Sequence, residues 1–267
     1  MPRSLHIRTP LFLLVMILAP PFSSAAPAVQ DQWQVRYESF TWREYDRNGR
    51  QLLKESGYRV GLQWDRASTR TTAPSWSTRV TAYLGDVDYD GRTQLGTPID
   101  STTEYHGLLA EARLGLPLAI QPGLDLTPFA GLGGHTWLRR LDNTGGFAET
   151  GYDEWWVHAY GLLGLDARWQ RPTFAWMARA GIRYPGHAWV QYDFTLPDGT
   201  DDARVDTDHA PAWFGELGVT TAGGYVITAF AERITYERSN SKTFGTATVF
   251  QPESETTSYG LTLGVQF

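Results

Sequence analysis

The sequence contains two acidic stretches in which the spacing of the carboxylates resembles that of cation-binding sites and hydrolytic sites. One, D-V-D-Y-D-G, covers residues 86–91, and the other, D-T-D-H, covers residues 206–209. Alternate carboxylates can converge on a hard cation where the chain turns, and a histidine oriented by an acid can activate water. The first stretch therefore predicts a weak surface calcium site at Asp86, Asp88 and Asp90. The two stretches together predict a candidate hydrolytic site.

The first stretch resembles the opening of an EF-hand calcium loop, in which alternate acids precede a glycine. The twelfth position here is Thr97, where that family has a bidentate glutamate, and no helical pattern flanks the stretch. An EF-hand is therefore excluded. A solvated acidic hairpin loop is the alternative to a weak calcium site.

The pairing of both stretches resembles the omptins, ten-stranded outer-membrane proteases with an acid pair facing an Asp-x-His across the barrel mouth. Asp208 and His209 are adjacent here, so along a strand their side chains point to opposite sides. Asp86 shares its phase with the outward Leu84. A lipid A-modifying enzyme is a further possibility, with His106 and His158 present but no convincing serine partner. An enzyme is the less favoured reading.

The secondary structure that positions these residues is indicated most clearly by the carboxy-terminal stretch. Residues 259–267 alternate strictly, with glycine or polar residues between apolar ones. A chain ending on phenylalanine behind such a strand resembles the closing strand of bacterial outer-membrane β-barrels, and in that family it is the signal for the barrel-assembly machinery. The resemblance implies an assembly signal at Tyr259, Leu261, Leu263, Val265 and Phe267.

The amino-terminal stretch predicts a secretory signal peptide over residues 1–28. Arg3 and Arg8 precede the short apolar run Leu11–Ala19, and Ala26-Pro27-Ala28 offers a small-x-small cleavage site. The run is too short to cross a membrane as a helix. We therefore predict a barrel domain over residues 29–267, exported to the outer membrane of a Gram-negative bacterium.

Composition supports this class. The 267 residues include 11 Trp, 13 Tyr and 12 Phe but no Cys, and the mean hydropathy is negative. Aromatic girdles around a polar lumen produce this mixture. The whole chain carries a formal charge of −6, and losing Arg3 and Arg8 with the leader brings it to −8, which argues against nucleic-acid binding. Disulfides and Cys-ligated metals are excluded.

Period-two alternation predicts an all-β, antiparallel, up-and-down transmembrane barrel of ten strands, with eight or twelve as alternatives. Short connections alternate with long ones, as periplasmic turns alternate with extracellular loops. The predicted strands cover residues 32–45, 56–65, 76–85, 105–116, 124–139, 154–169, 173–184, 212–221, 225–238 and 256–267. In an alternative, the seventh strand continues to Phe194 beyond a kink at Pro185-Gly186. Glu232 falls on the apolar face of the ninth strand, so a bulge or a change of phase is expected there.

The inward faces of these strands interleave arginines with carboxylates. Withdrawn charges need partners, so the sequence predicts a salt-bridged lumen that fills a narrow barrel. A narrow polar pore gated by the same pairs is the alternative. The predicted network consists of Arg36, Glu38, Arg79, Glu111, Arg113, Asp166, Arg168, Arg179, Arg183 and Glu216.

The function favoured by the sequence is a structural or surface-interaction role without catalysis, in a monomer with acidic extracellular loops. The alternatives are a narrow pore for small solutes and a surface enzyme. Expected partners are outer-membrane lipids, lipopolysaccharide and the barrel-assembly machinery. No cofactor is expected apart from the possible weak calcium ion.

Overall fold

The structure is a computed structural model that describes residues 29–68, 74–92, 98–142, 152–193, 203–244 and 247–267. The predicted leader, residues 1–28, lies outside the described residues. Within those ranges, no helix is long and apolar enough to span a membrane.

Ten long strands form the wall. They are β1 (Val29–Tyr45), β2 (Gln51–Ser68), β3 (Ser75–Arg92), β4 (Pro98–Gly115), β6 (Leu124–Leu141), β7 (Asp153–Gln170), β8 (Phe174–Asp193), β10 (Ala212–Thr221), β11 (Tyr225–Tyr236) and β14 (Glu253–Gln266). Four short strands complete the sheets: β5 (Leu118–Gln121), β9 (Ala203–Thr207), β12 (Lys242–Phe244) and β13 (Ala247–Val249).

The wall closes on itself. Each long strand pairs antiparallel with its neighbour along the chain, β14 pairs with β1, and β10 pairs with β8. Closure leaves no free edge among the ten long strands that the structure describes, as a spanning sheet requires. The prediction of an antiparallel up-and-down barrel of ten strands is confirmed. We call the end that holds Val29 and Phe267 proximal and the opposite end distal.

Several strands run further towards the distal end than the sequence predicted. The stretch between residues 86 and 104, predicted as a long loop, belongs mostly to β3 and β4, whose register is continuous from Ser75↔Gly115 to Arg92↔Pro98. β8 continues through Pro185 and Gly186 to Asp193, as in the alternative prediction for the seventh strand, with a register shift opposite His158 and Tyr160. The distal wall therefore extends beyond the apolar residues that marked the strands in the sequence.

The outer wall carries a belt of exposed apolar side chains. Aromatic residues mark its proximal side. The ring centroids of Trp33 and Trp64 are 6.3 Å apart, and Trp169 and Trp176 are opposite each other in the β7–β8 register. Further up, the rings of Tyr37 and Tyr58 stack at 5.3 Å. An apolar belt with interfacial aromatic residues is the outer surface that a membrane barrel presents to lipid.

Strand β11 corrects the sequence prediction for Glu232. The strand pairs with β10 and β14 without a bulge, and Val226, Phe230 and Ile234 face the lumen together with Glu232. The lipid-facing residues are the alternating set Tyr225, Ile227, Ala229 and Ala231. The more apolar face of this strand points inward, so apolarity assigned the phase wrongly.

Candidate functional site

Side chains from opposite walls meet across the lumen at several levels. Towards the proximal end, Arg79 on β3 pairs with Glu216 on β10, and Asp65 accepts a hydrogen bond of 2.7 Å from Arg79 Nε. Arg179 Nε lies 2.5 Å from Asp166 Oδ1, and Arg179 Nη1 lies 3.1 Å from Glu216 Oε2. In the ring of ten wall strands β3 and β10 are diametrically opposed. This proximal network therefore bridges the full width of the lumen.

A second network lies nearer the middle of the barrel. Glu111 on β4 pairs with its neighbour Arg113 and, at 3.2 Å, with Arg183 on β8. Arg183 also pairs with Glu232, and the Tyr160 hydroxyl donates a 3.0 Å hydrogen bond to Glu111. Gly133 leaves the space that the Tyr160 ring occupies. This central network gives each buried carboxylate a cationic partner, as a low-dielectric interior requires.

The remaining predicted lumen residues lie beside these networks. Glu38 accepts hydrogen bonds from Arg36 at 2.8 Å and from Arg59 Nε at 2.6 Å, and the Arg59 guanidinium lies over the Phe40 ring. Arg168 faces the lumen opposite Asp125 on β6. All ten residues predicted from the inward phases thus have lumen-facing positions in the structure.

An aromatic plug, formed by Trp42, Trp137, Trp156 and Tyr236, crosses the lumen above the central network. The ring centroids of Trp42 and Trp156 are 5.2 Å apart, and those of Trp137 and Trp156 are 5.2 Å apart in parallel planes. Tyr236 lies 5.3 Å from Trp156 and 5.8 Å from Trp42. β1 and β7, which carry Trp42 and Trp156, are diametrically opposed. The plug therefore places four buried rings across the lumen, between opposite strands of the wall.

A distal carboxylate cluster lies directly against the plug. Arg139 pairs with Glu55 at 2.6 Å, with Glu154 at 2.8 Å and, more loosely, with Glu44 at 3.6 Å. Neutral donors complete the set. Glu44 and Glu154 accept 2.9 Å hydrogen bonds from the indole N–H groups of Trp42 and Trp156, while Glu55 accepts bonds from Thr103 and Tyr105. One arginine thus serves three buried carboxylates.

The excess of carboxylates contributes to a raised pKa of the Glu44 carboxyl. Glu44 lies beyond the apolar belt and next to the outward Arg43. Burial raises the pKa of the Glu44 carboxyl to about 7; Glu154 and Glu55 add to the rise, and Arg139 opposes it. A carboxyl with this pKa is partly protonated at neutral pH. The distal cluster can therefore hold a proton in place of a second cation.

Two small cavities lie beneath the plug. The larger measures about 30 Å³ and is lined by Arg36, Arg59, His135, Arg183 and Glu232, among others. The second measures about 20 Å³ and touches both the central residues and the plug. Each has room for a water molecule or two. Their size fits a filled lumen better than an open channel.

Two histidines pack beside the plug. His158 and His209 are buried, with ring centroids 4.0 Å apart in an edge-to-face arrangement. Among the described residues, neither ring nitrogen of His158 has a hydrogen-bond partner, nor has Nε2 of His209, whose Nδ1 lies 2.8 Å from the Ala210 carbonyl oxygen. In the part of the chain that the structure describes, no carboxylate forms a hydrogen bond with either ring.

The acidic stretches singled out in the sequence lie on the outer wall. Asp86, Asp88 and Asp90 follow one another along β3 with exposed side chains, so they form a row and not a convergent loop. Asp206 and Asp208 are likewise exposed, whereas His209 turns inward. The omptin-like acid and histidine positions therefore do not face one another across the mouth. In the described ranges, no group of three or more Asp, Glu or His residues is placed to hold a metal ion; the calcium site stays a prediction.

The predicted assembly residues lie on the lipid-facing side of β14. Tyr259, Leu261, Leu263 and Val265 are exposed along the strand, and Phe267 is the most exposed of the set at 71%. Phe267 exchanges backbone hydrogen bonds with Asp31 at the seam with β1. Recognition of this strand by an assembly machine stays a prediction.

The sequence did not identify several of the closing residues. Glu55 and Arg139 lie at or beyond the predicted strand ends. Tyr236 shares a face of the ninth predicted strand with Glu232, so apolarity alone predicts a lipid-facing side chain, whereas the structure buries it in the lumen. Long-range partnership was the missing signal, since Arg139 and Glu55 are 84 residues apart in the chain.

Comparison with known proteins places the fold. No protein-family model matches the chain, and no curated protein matches its sequence. Among solved structures, the outer membrane protease OmpT from Escherichia coli superposes with a TM-score of 0.62 at 11% identity, covering 92% of this chain and 98% of that one. At this identity the likeness concerns the fold alone.

Other bacterial membrane barrels match more loosely. The translocator domain of the autotransporter NalP from Neisseria meningitidis gives a TM-score of 0.43 at 10% identity and covers 91% of this chain and 90% of its own. The attachment invasion locus protein Ail of Yersinia pestis gives 0.35 at 10% identity, covering 90% and 99%. A shared barrel fold does not by itself select a function.

Proposed function

The chain has the closed ten-strand fold of bacterial outer-membrane β-barrels, and from that premise we propose that it is a non-conducting protein of the outer membrane that acts through its outer wall and distal end. Proximal then means periplasmic and distal means extracellular, as in barrels whose termini lie in the periplasm. Lipopolysaccharide and the barrel-assembly machinery are its proposed partners, and it is proposed to work as a monomer.

The aromatic plug is the observation that carries this proposal. Four rings from β1, β6, β7 and β11 fill the lumen, with Trp42 and Trp156 fully buried. Cross-lumen ion pairs lie below it, and the distal carboxylate cluster lies against it. A solute would have to displace all three layers. Such a lumen supports a structural role better than transport.

A narrow pore is the second candidate function. Charged side chains line the larger cavity beneath the plug, and Trp137 of the plug lines the second, so a displacement of this ring would widen the path towards the mouth. A surface enzyme has weaker support, because Asp86, Asp88, Asp206 and Asp208 point away from the lumen.

Conductance in planar lipid bilayers separates the two leading candidates. We expect no channel openings from the wild-type barrel, and ion-permeable openings from a Trp137→Ala, Trp156→Ala double variant. Phe214→Ala is the matched control, since it removes a buried lumen ring outside the plug. Porin-like conductance in the wild type would overturn the proposal and favour the pore.

A further inference from the structure

Four neighbouring strands, β2, β1, β14 and β11, form one continuous part of the outer wall. Their register aligns outward side chains in rows that run across all four strands. The proximal row consists of Trp64, Trp33, Val265 and Tyr225. Further rows of mostly apolar residues follow, and the uppermost of them consists of Tyr58, Ser39, Tyr259 and Ala231. This surface is lipid-facing in its lower part.

The chemistry changes abruptly above that uppermost row. The next row consists of Ser56, Thr41, Thr257 and Arg233, and the one above it consists of Lys54, Arg43, Glu255 and Thr235. Hydroxyl groups and three cations therefore replace the apolar side chains within two residues. Lys54 and Arg43 lie in the upper of these two rows and Arg233 in the lower one. We call these three residues together the cationic row.

Glu255 organises the two arginines of the cationic row. Arg43 Nη1 lies 3.5 Å from Glu255 Oε1, and Arg233 Nη2 lies 2.5 Å from Glu255 Oε2. The arginine side chains remain 36% and 51% exposed. A shared carboxylate thus holds two guanidinium groups side by side while leaving donors free for a ligand. Asp90, the register partner of Lys54, borders the row on β3.

The height of the cationic row matches a membrane boundary. Arg43 lies ten residues above Trp33 on β1. At about 3.3 Å per residue and a strand tilt of about 40°, this separation is about 25 Å along the barrel axis, the height of an apolar membrane band. If Trp33 marks the proximal interface, the cationic row lies at the distal one.

Positive charge is concentrated on this wall. Outside the lumen, its distal strand ends and the adjoining connections carry seven cations against four carboxylates, namely Arg43, Arg47, Arg50, Lys54, Arg233, Arg238 and Lys242 against Asp46, Glu237, Glu253 and Glu255. The described distal part of β3, β4, β6 and β7 carries the reverse balance, with Arg92 and Arg140 against Asp86, Asp88, Asp90, Asp100, Glu104, Asp142 and Asp153. An anionic ligand at the distal interface would therefore prefer the first wall.

We propose that the cationic row binds the phosphate groups of a phosphorylated lipid in the distal leaflet, with the lipid acyl chains lying against the apolar rows below. Arginine forks suit phosphate oxygens, and Lys54 adds a point charge. Ser56, Thr41 and Thr257 supply hydroxyl donors between phosphate and acyl chain. This inference rests on the membrane location in the proposed function and is independent of the closed lumen.

Native mass spectrometry of the folded mature barrel tests the assignment. The probe is a bis-phosphorylated diglucosamine acyl lipid, compared with the same lipid lacking phosphates and with inorganic phosphate. A variant with Arg43→Gln, Lys54→Gln and Arg233→Gln is expected to bind the phosphorylated lipid at least about tenfold more weakly, a loss of about 1.4 kcal/mol. The dephosphorylated lipid and inorganic phosphate are expected to bind the wild type weakly.

The matched control removes the same charge elsewhere on the surface. Arg92→Gln, Arg140→Gln and Arg204→Gln replace three exposed arginines outside the four strands of this wall, and lipid affinity should stay unchanged. If the triple variant of the row failed to fold, Arg233→Gln alone, expected to weaken binding by about threefold, would carry the test.

Equal affinity of the wild type and the row variant would overturn the inference, as would equal losses in the control or displacement of the lipid by inorganic phosphate. None of these outcomes bears on conductance, so failure here is distinguishable from failure of the closed-lumen proposal.

Discussion

The two halves of the lumen neutralise their charges in different ways. In the proximal and central networks, carboxylates such as Glu216 and Glu111 each have arginine partners from more than one strand. In the distal carboxylate cluster, Arg139 is the only cation among the described residues that pairs with Glu44, Glu55 and Glu154. There, indole, phenol and hydroxyl donors replace the missing cations. The difference shows that a closed barrel can be filled either by matched ions or by one ion among neutral donors and a proton.

The stability of the two halves should therefore respond differently to the loss of an arginine and to a change of pH. A matched network depends on each ion pair and is indifferent to pH near neutrality. A cluster with surplus carboxylates depends more heavily on its one cation, and on pH, because like charges held together disfavour full ionisation. The distal half should therefore be the more fragile half of the lumen.

The largest expected effect comes from removing the one distal arginine. Arg139→Ala should lower the free energy of unfolding by about 5 kcal/mol, because it leaves three buried carboxylates without a cation. Arg179→Ala, its counterpart in the proximal network, should cost about 3 kcal/mol, since Glu216 keeps Arg79. Reversible urea unfolding in micelles measures both. Equal losses at the two sites would contradict the proposed difference between the halves.

A change of pH is expected to have a smaller effect on the free energy of unfolding. The pKa of Glu44 is raised to about 7 by burial, so the folded state binds a proton more tightly than the unfolded state. The resulting stability is fully present below about pH 4.5 and is lost as the pH rises through 7, with a maximum change of about 3 kcal/mol. Urea unfolding between pH 4.5 and 8 should show this decline.

Glu44→Gln should remove that pH dependence, because an amide cannot ionise and can keep a hydrogen bond from the Trp42 indole. Asp88→Asn, a change at an exposed carboxylate on the outer face of β3, is the control and should keep the wild-type slope. An unchanged slope in the Glu44 variant would contradict the assignment of the proton to this carboxyl.

The sequence predicted the fold well because period-two alternation is strong wherever a strand faces lipid. Strand β10 was predicted with its observed bounds, Ala212–Thr221, and the ten lumen residues proposed from phase all face inward. The signal weakened where the wall leaves the apolar belt, because both faces of a strand are polar there. Hence Asp86, Asp88 and Asp90 were predicted as a loop although they lie on β3.

The closed lumen was harder to foresee because it reverses the usual pattern. The plug and the residues beneath it place aromatic and apolar side chains inward, so β11 has its more apolar face in the lumen. Apolarity alone then assigned Glu232 and Tyr236 to the lipid side. Contacts such as Trp42–Trp156 join residues more than a hundred positions apart, and no local pattern encodes them.

Access of a thiol reagent to the lumen tests the central claim most directly. The chain has no cysteine, so Thr81→Cys places a single thiol in the larger cavity beneath the plug. In the wild-type background, a small charged methanethiosulfonate added from the distal side should leave this thiol unmodified, while Asp88→Cys on the outer wall reacts rapidly. Adding Trp137→Ala and Trp156→Ala should make the Thr81→Cys thiol reactive. Rapid modification with the plug intact would contradict a closed lumen.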